Sequence, residues 1–134
     1  MTGLLGDDTA RTVASFDRGL DSRTILRDCL HYAEAEDRIP SVAELCRAVH
    51  VSERRLRSAF TEEYDQPPSQ FMRAWALGRA HQRLRDAEPD HLSVTEVAAG
   101  LGFGHLGRFS GQYRRVFGES PSVTLRGSGP ARAA

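Results

Sequence analysis

Arg54, Arg57, Ser58 and Thr61 stand close together in the stretch SERRLRSAFTEE. At 100° per residue, with Leu56 at zero, Phe60 lies at about 40° and Ala59 at about 300°, so the apolar direction is about 350°. Arg54 then lies at about 160°, Ser58 at about 200°, Thr61 at about 140° and Arg57 at about 100°, so all four point away from the apolar side. Arginine forks on an outer helix face suit two situations. They can pair with guanine O6 and N7 in a DNA major groove, or they can simply be solvated. Arg55 falls on the flank, a better place for a phosphate contact. Glu53 opens the stretch, where a carboxylate favours the helix dipole, and it could also accept from cytosine N4.

Catalytic chemistry finds no comparable set. There is no phosphate-binding glycine loop on a strand, no Ser-His-Asp arrangement and no carboxylate pair in an apolar stretch. The five histidines do not combine with Cys, Asp or Glu at metal-ligand spacing. Cys29 and Cys46 sit in apolar helical stripes and are expected to be reduced and buried, as in a cytoplasmic protein. No enzyme activity, metal or cofactor is therefore expected.

Charge points elsewhere. All 18 basic residues are arginine, balanced by 18 acids. Residues 1–37 are net −4, residues 38–85 net +4 and residues 86–134 neutral. A basic middle beside an acidic start suggests a charged partner. No apolar run approaches the ~20 residues of a membrane helix, and the start lacks the basic-then-apolar pattern of a secretory signal.

The elements that must position these arginines are helical. Ile25, Leu26, Cys29, Leu30 and Ala33 form one stripe, ended at Arg38-Ile39-Pro40. Ser41-Val42-Ala43-Glu44 is a capping box for a second helix with Val42, Leu45, Cys46 and Val49. Ser52 is the next N-cap. Pro67-Pro68 opens a long helix with Phe71, Trp75, Leu77, Ala80 and Leu84, read as scaffold. Then the plan repeats. Ser93-Val94-Thr95-Glu96 restates Ser41-Val42-Ala43-Glu44 after 52 residues. Phe109, Tyr113 and Pro121 restate Leu56, Phe60 and Pro68 after 53, so the second turn has gained one residue. No stretch alternates like a strand. The expected class is all-α, with about seven helices forming two helix-turn-helix subdomains joined by a long linking helix.

Two motifs now carry a family resemblance. They are SVAELCRAVHVSERRLRSAF followed by PPSQF, and VTEVAAGLGFGHLGRFSGQYRRVFGESPS. The span 21–126 resembles the DNA-binding domain of AraC/XylS-type transcription regulators. The resemblance implies two recognition helices docking in adjacent major grooves, and it puts Arg54, Arg57 and Ser58 at base-contacting positions. The family's usual basic residue just before Leu77 is Ala76 here, so that phosphate contact is not carried over. Many members carry a separate sensor or dimerisation domain. A chain of 134 residues leaves no room for one, so a standalone member or a piece of a longer regulator is expected.

The second recognition helix differs from the first. With Phe109 at zero, Tyr113 lies at about 40° and Val116 at about 340°; Gly107 at about 160° and Gly111 at about 200° take the outer places of Arg54 and Ser58. Ser110 at about 100° and Arg114 at about 140° flank them. The first module is therefore expected to read bases through Arg54, Arg57 and Ser58. In the second, bare backbone at Gly107 and Gly111 would approach the bases closely; the same two glycines also suit a Gly-x3-Gly surface for a partner helix, or simple neutrality. Ser52, Arg55, Thr61, His105, Arg108, Ser110, Arg114 and Arg115 are the expected backbone contacts.

The expected layout is a flexible acidic arm over 1–20, a first subdomain over 21–68, a linking helix over 69–85, a second subdomain over 86–126 and a flexible tail over 127–134. The expected partner is double-stranded DNA, with RNA polymerase and a sensor or dimerisation domain outside this chain as further candidates, and no membrane. The competing reading is an interaction module of the same fold, docking RNA polymerase or a sensor, in which DNA binding is weak or lost. Zero net charge and the two glycines are its support.

Overall fold

The computed structural model describes residues 20–127. Its described residues contain seven α-helices and no strand: α1 Ser22–Glu36, α2 Val42–Val49, α3 Glu53–Tyr64, α4 Pro68–Asp86, α5 Val94–Leu101, α6 Leu106–Phe117 and α7 Pro121–Arg126. The all-α expectation holds. The expected arm and tail lie, apart from Leu20 and Gly127, outside the described residues. Two compact units divide between Met72 and Arg73, inside α4. That helix begins at Pro68, where a missing N–H costs nothing, and runs one residue beyond the expected 69–85 at each end.

In the first unit, Asp21 caps α1 by accepting the Thr24 N–H at 2.7 Å. The Ser41 capping box is complete: Ser41 Oγ accepts the Glu44 N–H at 3.1 Å, and Glu44 Oε1 accepts the Ser41 N–H at 3.3 Å. Glu44 does a second job. The Arg38 guanidinium forks onto its two oxygens at 3.1 and 2.6 Å, and the Tyr32 hydroxyl donates to it at 3.1 Å. Chiefly through Arg38, these bonds hold the Glu44 carboxyl down at about 2. The joint between α1 and α2 is thus tied by charge as well as by Ile39 and Pro40.

Beneath it lie Ile25, Leu26, Cys29, Ala33, Leu45, Val49, Val51, Leu56, Ala59 and Phe60, all buried. Phe60 meets Phe71 edge-on at 5.2 Å. Neither cysteine is in a disulfide. Cys29 is buried as expected, and burial pushes its thiol up to about 12, the opposite of what a nucleophile needs. Cys46 is only half-buried.

The second unit packs Leu77, Ala80 and Leu84 of α4 against Val97, Ala98 and Leu101 of α5, Phe109 and Tyr113 of α6, and Leu125 of α7. A polar chain runs through this core. Thr124 donates to Glu119 at 2.9 Å, the Tyr113 hydroxyl donates to Thr124 Oγ1 at 2.8 Å, and His81 Nδ1 lies 2.8 Å from the Tyr113 oxygen. A carboxylate only accepts, so the order of protons is set from that end and His81 Nδ1 is the donor. The His81 ring stacks on Phe117 at 4.1 Å and 8°. These contacts fix the roll of α6 about its own axis.

Candidate nucleic-acid interface

Each unit contains a helix-turn-helix closed in the same way. The Val51 N–H reaches Cys46 O at 3.2 Å, and the Phe103 N–H reaches Ala98 O at 2.9 Å, positions 52 residues apart. Each bond runs five residues back, as in a Schellman turn, with a left-handed residue before it: His50 at φ 58° and Gly102 at φ 95°. The first turn places three residues between its helices and the second four, which locates the extra residue of the repeat. Val51 and Phe103 are the apolar residues that follow, Val51 buried and Phe103 half-buried with its ring 4.7 Å from Phe109.

On α3 the outward residues stand where their angles put them. Arg54, Arg57 and Thr61 are exposed and Ser58 is half-exposed. Among the described residues Arg54 makes no ion pair. Arg57 Nε and Nη2 both donate to Glu53 Oε1, at 3.1 and 2.7 Å. The two side chains are 51% and 61% exposed, so the pair is weak and readily exchanged for another acceptor. Ser58 Oγ donates to Glu62 Oε1 at 3.1 Å. Ser52 caps the helix by accepting the Arg55 N–H at 3.1 Å.

Arg55 differs from its neighbours. Its side chain is only 19% exposed. Nη2 donates to Leu20 O at 3.0 Å and to Ser22 Oγ at 3.3 Å, and Nη1 lies 3.8 Å from Glu62. Ser22 in turn donates to Glu62. Arg55 thus ties α3 to the start of α1. A flank position at about 260° suggested phosphate contact because angle alone does not reveal what the neighbouring helix offers.

On α6, Gly107 and Gly111 are exposed, with Arg108, Arg114 and Arg115 around them. Val116, placed on the core side by its angle, is 61% exposed, and Ser110, placed outward, is half-buried. The reason is Phe117: its stacking on His81 and its contact with Tyr113 at 4.6 Å draw the core direction to about 40°. The outermost direction becomes about 220°, which favours Gly111, Arg115 and Arg108 over Ser110.

His105 is the N-cap of α6, and its Nδ1 accepts the Arg108 N–H at 3.1 Å. That leaves the neutral ring's proton on Nε2, as a donor. It also accounts for Gly107: a Cβ there would lie 3.3 Å from His105 Cε1. At Gly111 a Cβ would meet nothing within 4 Å. Ala76 is fully buried, so its position offers no surface for a phosphate.

Among solved structures, a probable AraC family transcriptional regulator from Rhodopseudomonas palustris is 34% identical, with a TM-score of 0.68 over 80% of this chain and 99% of that one. A family described as helix-turn-helix domain matches residues 45–127. The chain belongs to the AraC-type helix-turn-helix family. Curated relatives include the probable thc operon regulatory protein of Rhodococcus erythropolis, 38% identical over 76% of this chain, and the XylDLEGF operon transcriptional activator of Pseudomonas putida, 37% identical over 64%. The chain spans 31% and 27% of those two proteins. The AraC-type family is one of DNA-binding transcription regulators, not enzymes. Among the described residues no helix is long and apolar enough to cross a membrane.

Proposed function

We propose that this chain reads double-stranded DNA with α3 and α6, each entering one of two adjacent major-groove segments about 10 base pairs apart. The observation that carries this is the pair of matching helix-turn-helix closures 52 residues apart, the first of which leaves Arg54 and Arg57 exposed on the outer face of its second helix. Arg54, Arg57 and Ser58 supply base contacts. Gly111 lets the α6 backbone approach the groove wall, and Gly107 does the same only where the His105 ring beside it swings aside. Ser52, Thr61, His105, Arg108, Arg114 and Arg115 hold phosphates, with Arg115 and Arg108 ahead of Ser110. Because the two faces differ in side chains, the site is asymmetric. Arg55 remains a candidate phosphate contact only if it gives up part of its hold on Leu20 and Ser22.

The relatives named for operon regulation and activation favour transcriptional activation in the cytoplasm, with RNA polymerase and a separate sensor or dimerisation domain as protein partners. The chemistry of the interface supplies no catalytic role.

Selection from a random duplex pool, followed by footprinting of the winners, tests the proposal. A non-palindromic site protected over two segments one turn apart is expected, with affinity falling steeply as salt rises. Protection of a single segment, or no enrichment beside salt-independent binding, refutes it.

A further inference from the structure

The direction of one hydroxyl bond on α3 has a consequence for sequence preference. Ser58 donates its single proton to Glu62 Oε1 at 3.1 Å. Glu62 is itself held in place: Ser22 donates to its other oxygen, and the Arg55 guanidinium stands 3.8 Å away. Arg55 is further fastened to Leu20 O and Ser22 Oγ. Hydrogen bonds from Ser22 and then Ser58 lower the Glu62 carboxyl below its ordinary range, which keeps it the charged, acceptor-only form. A serine hydroxyl has one proton and two lone pairs. With the proton turned along the helix toward Glu62, what Ser58 can offer to a groove is lone pairs.

We infer that Glu62 is a specificity-determining positioning residue, which biases Ser58 toward accepting and so favours a base presenting an amine in the major groove, cytosine N4 or adenine N6, over guanine or thymine. The inference rests on the reading above that Ser58 faces a base. Serine is ordinarily tolerant, because its hydroxyl can donate or accept. Here the carboxylate one helical turn on, 57% exposed but held by Ser22 and Arg55, takes the proton in the resting geometry and leaves the lone pairs for the groove. Glu62 need not touch DNA to do this.

The experiment uses the full chain and duplexes that carry each of the four base pairs, one position at a time, in the selected site. Ser58→Ala first identifies the base pair that Ser58 reads, as the position where discrimination collapses. At that position the wild type is expected to prefer cytosine or adenine, on the strand facing Ser58, by on the order of tenfold. Glu62→Ala, which releases the hydroxyl to rotate, is expected to bring that ratio to within about threefold, while ratios elsewhere in the site stay as they were. The removal of a negative charge raises affinity for every duplex alike, so the ratio and not the affinity is the readout. Glu62→Gln guards against misfolding of the alanine variant. It keeps the shape, and its amide can donate to Ser58, so the preference narrows or turns toward guanine or thymine. Circular dichroism confirms that both variants are folded.

A wild-type preference for guanine or thymine at that position overturns the inference, as does an undiminished ratio in both Glu62 variants. If Ser58→Ala alters no position, the reading of Ser58 as a base contact has failed, and the inference falls with it.

Discussion

The His105 imidazole lies across Gly107 and accepts the Arg108 N–H at 3.1 Å. One glycine of the second recognition helix is therefore occupied by its own cap, while the other, Gly111, faces open space. The two glycines that look alike in sequence have different reasons to be there. Gly111→Ala is expected to stabilise the chain by about 1 kcal/mol through helix propensity, and Gly107→Ala by clearly less, because the ring must shift. His105→Ala is expected to cost about 1 kcal/mol, and His105→Asn much less. Urea titration measures all four. Equal gains at positions 107 and 111 would contradict this account. If close approach to DNA is why Gly111 is bare, Gly111→Ala also weakens binding while it stabilises the fold.

Arg54 and Arg55 are neighbours with different tasks. Arg54→Ala is expected to relax preference at individual base pairs by about 1–3 kcal/mol with little loss of stability. Arg55→Ala should lower the melting temperature, because it releases Leu20 O, Ser22 and Glu62. Paired melting and binding measurements separate them, and a stable Arg55→Ala protein would speak against the tie.

Tyr113→Phe keeps the ring but removes the hydroxyl that joins His81 to Thr124. The expected loss is about 1–3 kcal/mol, since polar groups in the core of the second unit lose a partner. A neutral result in chemical denaturation would show that the chain of bonds contributes nothing.

Glu44 makes stability depend on acid. Its folded-state carboxyl, at about 2, lies below the ordinary value of 4.5, so its contribution is complete above that value and declines as pH falls from 4.5 toward 2. Glu44→Gln should flatten the acid limb of a melting-temperature profile over that window and leave its shape above pH 5 unchanged. Identical acid limbs in both proteins would refute the assignment.

Asp65 closes α3 at φ 53°, where Gly118 closes α6 at φ 76°. Asp65 combines a left-handed backbone with a negative charge at a helix C-terminus, both unfavourable. Asp65→Gly is expected to stabilise the chain by about 1 kcal/mol, read from the urea midpoint, despite the greater freedom glycine has when unfolded. A destabilised variant would show that the aspartate makes a favourable contact outweighing both terms.

Much of this molecule is local chemistry, and local chemistry is written in order along the chain. Caps at Ser41, Ser52 and Ser93, the 3.6-residue stripes, the Pro68 helix start and the 52-residue repeat follow from short-range hydrogen bonding and periodic burial. They determine an all-α chain with two turns and place Arg54 and Arg57 outward on α3. Tertiary packing decided the rest. Arg55 became a tie because the start of α1 presents a carbonyl and a hydroxyl within its reach. α6 rolled toward Phe117 because His81, on a different helix, offers a flat face to stack on. That roll exposed Val116 and drew in Ser110. Such outcomes depend on what lies across a gap between helices, and spacing within one helix carries no record of its neighbour.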